Sequence, residues 1–195
     1  MAAAKRLIVL DRDGVLNRLL PNPAEPRPDS PMRASEVEVF PWVSGVLARL
    51  TRAGFGLVIA SNQPAAAKGK TTRADLEAAH AAVLAAATAE GGVVLSSHIC
   101  FHRAEDRCAC RKPATGLLEE AFARHPAYVR VGSWMVGDRA PDVLAGAAFG
   151  LETAYLGEAT SAEYADLVAR GVRPSFQGPD LRDFAAFVLA TVPRV

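Results

Sequence analysis

The sequence predicts an α/β fold in which helices flank a parallel sheet, and three observations support this. Short apolar runs of strand length alternate along the chain with longer segments of helical periodicity. The runs lack the apolar–polar alternation of a half-exposed strand, which is typical of strands buried on both faces. Glycine or proline stands at several of the transitions. We therefore expect the 195 residues to form one domain, spanning 1–195.

The individual elements follow from these patterns. Strands are predicted at 7–10, 56–61, 93–99, 134–136 and 153–156. Helices are predicted at 41–52, 72–90 and 116–124, from Pro141 onward, and at 162–170 and 181–189. Residues 17–40, rich in proline and polar residues, are predicted to form a long loop of a kind that is often functional. In an open parallel sheet, ligands bind beyond the carboxyl ends of the strands, so polar residues at those ends are candidate site residues.

Overall charge and hydropathy exclude several classes of partner. The chain has 22 Lys and Arg against 21 Asp and Glu, a net charge of +1, which argues against a nucleic-acid or membrane-surface binder. No apolar run approaches the ~20 residues of a membrane helix. The N-terminal apolar run, 7–10, is too short for a signal peptide. We expect a cytoplasmic monomer that binds neither nucleic acid nor membrane.

An acidic pair directly follows the first predicted strand. Asp11 and Asp13 are two residues apart and could together bind a divalent cation, and a carboxylate is also a nucleophile toward phosphorus. Gly14 permits a turn that a side chain would obstruct. Two solvated acids in a loop would give the same pattern, so the pair alone does not decide between these alternatives.

Three further polar clusters follow later strands. Ser61 ends the second strand and could donate a hydrogen bond to a phosphoryl oxygen, although it could equally cap the strand. Arg111 and Lys112 offer a guanidinium fork and a point charge for phosphate, unless they are a solvated basic pair. Asp138 could complete a metal site with Asp11, whereas Asp142, four residues later, could be catalytic or a helix N-terminal charge. Their shared position at successive strand ends favours one common site.

With these residues, the chain resembles the phosphatases of the haloacid dehalogenase (HAD) superfamily. It matches their four motifs as LDRDG, ASNQ, CRKP and VGDRAPD, over roughly residues 6–157. The resemblance implies a Rossmann-like HAD domain and a small phosphorylated metabolite as substrate. It also implies that Asp11 is the nucleophile and Asp13 the acid and base, as phosphoryl transfer requires positioning and charge neutralisation.

The resemblance assigns the other site residues as well. Ser61 and Lys112 would hold the transferring phosphoryl group. Magnesium would bind to the carboxylates of Asp11 and Asp138 and to the backbone carbonyl of Asp13. The residues expected to contact the substrate are Asn62, Gln63 and Arg111.

The three cysteines of the chain lie within eleven residues. Cys100 and His102, then Cys108 and Cys110 after five intervening residues, supply three sulfurs and one imidazole. Such a closed set of four ligands is typical of a structural zinc site. The alternative without a metal is three reduced cysteines beside a surface histidine. His98 is the one rival ligand. Zinc would fix Arg111 and Lys112 directly after the last ligand.

This loop followed by CRKP resembles the D-glycero-D-manno-heptose 1,7-bisphosphate phosphatases and the related histidinol phosphatases. The resemblance implies a capless enzyme of carbohydrate metabolism whose pocket walls come from 17–33, 63–69 and the zinc loop. The second motif departs from the usual Q-S-G, because Pro64 removes a backbone donor and Ala65 replaces glycine. The loop after Asn17 also lacks the usual Gly-Tyr.

The sequence leaves three alternatives open. The first is a phosphatase of histidinol phosphate or of another small sugar or polyol phosphate. The second is a non-catalytic homologue that binds a phosphorylated ligand or a protein. The third is a zinc-ribbon nucleic-acid module, which the near-neutral charge and the lack of a basic aromatic stripe disfavour.

Overall fold

The computed structural model describes residues 4–22 and 28–191. Six parallel strands form within these residues: β1 (Lys5–Leu10), β2 (Gly56–Asn62), β3 (Val94–Cys100), β4 (Tyr128–Gly137), β5 (Glu152–Leu156) and β6 (Phe176–Gly178). They make one sheet in the order β3-β2-β1-β4-β5-β6. The sheet grows in one direction from β1 to β3 and in the other from β4 to β6. The topological switch point therefore lies between β1 and β4, where open α/β sheets bind ligands.

Helices cover both faces of this sheet. They are α1 (Val43–Arg52), α2 (Arg73–Ala87), α3 (Gly116–Arg124), α4 (Ala140–Phe149), α5 (Ala162–Ala169) and α6 (Leu181–Ala190). Side chains alternate along β1, so that Ile8 and Leu10 pack in the core layer with α1 and α6. Leu7 and Val9 point to the opposite layer, with α3 and α4. Burial on both faces explains why β1 reads as a continuous apolar run.

The predicted α/β architecture with a parallel sheet is confirmed, and the differences are one added strand and shifted element ends. The structure adds β6, a strand of three residues that is too short to give a periodic signal. Strand β4 begins six residues before the predicted 134. Its first half was not predicted because it is largely exposed and is interrupted by Gly132 at φ +73°. Helix α2 ends at Ala87, three residues before the predicted end. No helix in the described ranges is long and apolar enough to cross a membrane.

Glycine at position 14 allows the loops that follow β1 and β4 to approach each other at the carboxyl edge of the sheet. Gly14 has φ +84°, and a Cβ on it would lie 2.1 Å from Asp138 Oδ2. A side chain at this position would displace Asp138, so glycine allows the two loops to touch. Helix α4 then begins with Pro141 in its first turn, and the Asp142 carboxylate accepts a hydrogen bond from Arg139 N at 3.1 Å.

Candidate active site and metal centres

Lys112 links two carboxylates at the centre of the sheet edge. Its Nζ lies 2.9 Å from Asp11 Oδ1 and 2.6 Å from Asp142 Oδ1, and it donates to Ala60 O at 2.6 Å. These three acceptors use all three ammonium hydrogens. Burial lowers the pKa of Lys112, but the charges of Asp11 and Asp142 outweigh this effect and raise the pKa above its usual value. Lys112 is therefore a fixed positive charge beside Asp11.

A third carboxylate joins this pair. Oxygens of Asp11, Asp138 and Asp142 all lie within 4.8 Å of one another. Burial and the two neighbouring carboxylates raise the pKa of Asp138 well above its ordinary value, and burial raises that of Asp142 to about 6. Asp138 Oδ1 is inaccessible to solvent and has no hydrogen-bond partner among the described residues. An orphaned buried oxygen in a cluster of hard oxygen ligands fits a bound magnesium ion.

The Asp13 carboxylate does not join this cluster. Arg12 donates to it from Nε and Nη2, at 3.0 and 3.1 Å, and Asn17 Nδ2 donates at 2.9 Å. Gln63 Nε2 completes the set at 2.6 Å. Four donors therefore hold this side chain in one position at the start of the loop after β1.

The residues that end β2 are bonded to other parts of the site. Ser61 Oγ accepts a hydrogen bond from Gln63 Nε2 at 3.0 Å. The Asn62 amide bonds the backbone of Lys112 in both directions, donating to Lys112 O at 3.0 Å and accepting from Lys112 N at 3.1 Å. Asn62 and Gln63 were expected to contact substrate, and their side chains are engaged with protein atoms here. Asn62 thereby ties the end of β2 to the segment that carries Lys112.

These side chains lie in a cavity of about 520 Å³. Each of the three predicted loops contributes to its wall, through 28–30, 63–65 and Arg111. A fourth wall, which was not predicted from the sequence, consists of Arg139 and Ser161–Glu163. Glu163 accepts a hydrogen bond from Ala140 N at 2.9 Å and pairs with Arg139 at 3.6 Å. Ser161, a helix-capping residue soon after the fifth strand, was the available signal for this wall.

The unusual second-motif loop forms one helical turn. Lys68 N donates to Pro64 O at 3.0 Å, and Gly69 ends the turn at φ +70°. Proline suits the first position of such a turn because no N–H is needed there. The turn brings Lys68 and Lys70 to the cavity, where Lys70 pairs with Asp29 at 3.4 Å. The turn that Pro64 begins thus carries two lysines of the pocket wall.

The predicted zinc ligands form a second, separate cluster. Cys110 Sγ lies 3.2 Å from Cys100 Sγ, 3.4 Å from Cys108 Sγ and 3.3 Å from His102 Nδ1. Ligand atoms in a tetrahedral zinc site with Zn–S of ~2.3 Å stand about 3.8 Å apart, so the set is somewhat tighter than a zinc-bound one but could hold a metal ion. The rival ligand His98 is turned away, with its two ring nitrogens bonded to Ser96 and Glu120.

Arg111 connects the two clusters. Its Nη1 donates to His102 O at 3.2 Å, and the next residue is Lys112. The Cys/His loop therefore holds a guanidinium at the cavity wall, one residue away from the ammonium that contacts Asp11.

Comparison with known proteins agrees with this geometry. A model of the HAD-hydrolase-like family matches residues 109–184. The D-glycero-β-D-manno-heptose-1,7-bisphosphate 7-phosphatase of Pseudomonas putida is 35% identical over 150 residues, covering 75% of this chain and 79% of that protein. The bifunctional histidine biosynthesis protein HisB of Legionella pneumophila is 32% identical over 138 residues, covering 71% of this chain and 37% of that protein.

A solved structure extends the similarity over nearly the whole chain. The D,D-heptose 1,7-bisphosphate phosphatase of Bordetella bronchiseptica, crystallised with magnesium and phosphate, superimposes with a TM-score of 0.77 at 32% identity, covering 95% of this chain and 98% of that one. The D-glycero-β-D-manno-heptose-1,7-bisphosphate 7-phosphatase sequence of Bordetella bronchiseptica is 36% identical over 145 residues, covering 74% of this chain and 76% of that protein. The chain therefore belongs to the HAD-like phosphatases, in the family of the heptose 1,7-bisphosphate phosphatases.

Proposed function

We propose that this chain is a magnesium-dependent phosphomonoester hydrolase that forms an aspartyl-phosphate at Asp11. The observation that carries the proposal is the Asp11 carboxylate at the cavity wall, bonded to Lys112 and within 4.8 Å of two further carboxylates. This arrangement combines a nucleophile, a fixed cation and a set of metal ligands at one point. Phosphoryl transfer depends on such positioning and charge neutralisation.

In the proposed reaction, an Asp11 oxygen attacks phosphorus and the bond from phosphorus to the leaving-group oxygen breaks. Asp13 gives its proton to that oxygen. Water then attacks the phosphoenzyme and gives a proton to Asp13, the Asp11–phosphorus bond breaks, and phosphate leaves. Ser61 Oγ–H donates to a phosphoryl oxygen, and Lys112 offsets its charge. Both carboxyls are thereby restored for the next turnover.

Magnesium would be held by the Asp11 and Asp138 carboxylates and the Asp13 backbone carbonyl, with Asp142 in the same carboxylate cluster. When bound, it neutralises charge on the phosphoryl oxygens and on these carboxylates. Zinc would be held by Cys100, His102, Cys108 and Cys110. Because four protein ligands leave no open position, its role would be structural.

We propose heptose 1,7-bisphosphate as the substrate, with hydrolysis at the 7-phosphate. The names of the relatives described above support this, and so do the positive charges of Arg111, Lys68 and Arg139 around the cavity. A second phosphate on the substrate could bind to such groups and help to position the first. The prediction of a cytoplasmic, monomeric enzyme of carbohydrate metabolism accompanies this proposal.

Histidinol phosphate is the second candidate, because relatives of the histidine biosynthesis type also match. The deciding experiment compares kcat/KM on heptose 1,7-bisphosphate, histidinol phosphate and p-nitrophenyl phosphate in the presence of magnesium. We expect the bisphosphate to be the best substrate. If neither metabolite exceeds p-nitrophenyl phosphate, the substrate proposal is wrong. If no phosphate is released from any of them, the non-catalytic alternative is favoured. The Asp11→Asn variant serves as the inactive control.

A further inference from the structure

Gln63 joins two residues of the proposed reaction. Its Nε2 donates to Asp13 Oδ2 at 2.6 Å and to Ser61 Oγ at 3.0 Å. All three side chains are buried at the cavity wall. Building on the proposed function, we propose that Gln63 is a positioning residue that directs Asp13 Oδ2 toward the leaving-group oxygen. This role differs from the direct substrate contact expected of Gln63 from its motif.

The other residues that donate to Asp13 do not line the cavity. Arg12 and Asn17 are each 0% exposed, and neither lines the cavity. Arg12 Nε and Asn17 Nδ2 both donate to Asp13 Oδ1, while Arg12 Nη2 donates to Oδ2. With Gln63, each carboxylate oxygen accepts two hydrogen bonds, which is the full capacity of its lone pairs. Of these donors, Gln63 is the one that faces the cavity.

The full use of the Asp13 lone pairs restricts proton transfer by this residue. The proposed reaction begins with a protonated Asp13, and an oxygen whose two lone pairs both accept hydrogen bonds cannot carry that proton until one donor is replaced. Because Arg12 and Asn17 are enclosed, the donor that a leaving group can replace is the Gln63 amide. Gln63 can keep its bond to Ser61 during the exchange, and Arg12 keeps Asp13 in place. Oδ2 is then the Asp13 atom that carries the transferred proton.

The test uses leaving groups that differ in their need for a proton. Phenyl phosphate releases a phenolate with a conjugate-acid pKa of about 10, whereas p-nitrophenyl phosphate releases a more stable anion with a pKa of about 7. The kcat/KM value reports the steps up to departure of this group. We expect Gln63→Met to lower kcat/KM by roughly 10–100-fold on phenyl phosphate and by less than about threefold on p-nitrophenyl phosphate.

A double-mutant comparison separates positioning from a general structural effect. Because Gln63 acts through Asp13, adding Gln63→Met to Asp13→Asn should cause no further loss on phenyl phosphate. Gln177→Met, the same change at the exposed end strand β6, should leave both substrates unaffected. If Gln63→Met fails to fold, Gln63→Asn replaces it in the same comparison, because Asn keeps the amide group but is too short to reach Asp13.

Two results would overturn the proposal: equal losses on both substrates, or the full loss persisting in the Asp13→Asn background. Either result would leave Asp11→Asn inactive. Failure of the underlying phosphatase mechanism would instead appear as an active Asp11→Asn enzyme, so the two failures are distinguishable.

Discussion

The carboxylate cluster and the Cys/His cluster are two potential metal sites at the same edge of the sheet, and they are built in opposite ways. Asp11, Asp138 and Asp142 face a cavity, and one buried oxygen among them lacks a partner. The four Cys/His ligand atoms instead lie within about 4 Å of neighbouring ligands in their own set. An open site leaves positions for substrate and water, whereas a closed site fixes a loop. A metal ion in the carboxylate cluster would therefore take part in the chemistry, whereas one in the Cys/His cluster would fix the geometry of its loop.

Removal of magnesium should have the largest effect. Treatment with a chelator, followed by assay of phosphate release, should lower turnover by more than about 10³-fold, because three carboxylates then share only the charge of Lys112. Adding magnesium alone should restore it. Elemental analysis should find one zinc per chain retained throughout a brief treatment. Turnover that persists without magnesium would show that the carboxylate cluster does not need a metal ion for catalysis.

Loss of the closed site should have a smaller, indirect effect. Cys108→Ser should release zinc and lower activity by roughly 10–100-fold, because the loop no longer holds Arg111 and Lys112 in place. Zinc content and phosphate release are measured together. Ala104→Ser, in the same loop but outside the ligand set, is the matched control. A zinc-free Cys108→Ser enzyme with full activity would show that the loop does not support the site.

Arg111 lies between the two clusters, and its truncation should show whether it acts on substrate binding or on the common chemistry. We expect Arg111→Ala to reduce kcat/KM on heptose 1,7-bisphosphate about tenfold more than on p-nitrophenyl phosphate, which has no second phosphate to bind. Arg52→Ala, at an exposed position at the end of α1, is the control. Equal losses on both substrates would place Arg111 in the common chemistry instead.

How far the sequence alone predicted these sites depends on how local their signals are. The Cys/His ligands and the strand-end carboxylates were predictable because each stands next to a recognisable strand or motif. The bonds of Asp13 to Asn17 and Gln63 were not predicted, because they join separate loops and depend on side-chain direction. The short strand β6 has too few residues for periodicity to reveal it.

The smallest expected effect concerns stability. Asp138→Asn should raise the melting temperature of the metal-free protein by roughly 2–6 °C, because it removes a buried carboxylate with a raised pKa. A carboxyl whose pKa is raised by folding contributes stability at low pH and loses it as pH rises through that pKa. The gain should therefore be larger at about pH 8 than at about pH 5.

Calorimetry with and without magnesium measures this effect. The ion should stabilise the wild type and have little effect on Asp138→Asn. An equal response of both proteins to magnesium would exclude Asp138 as a ligand.

Detection of the phosphoenzyme is the most direct test of Asp11 as the nucleophile. After an acid quench during turnover, mass spectrometry of the tryptic peptides 7–12 and 13–18 separates Asp11 from Asp13. We expect an added mass of about 80 Da, one phosphoryl group, on peptide 7–12 alone. The added mass should be absent from Asp11→Asn. A phosphoryl group on peptide 13–18, or an Asp11→Asn enzyme that still turns over, would contradict the assignment of Asp11 as the nucleophile.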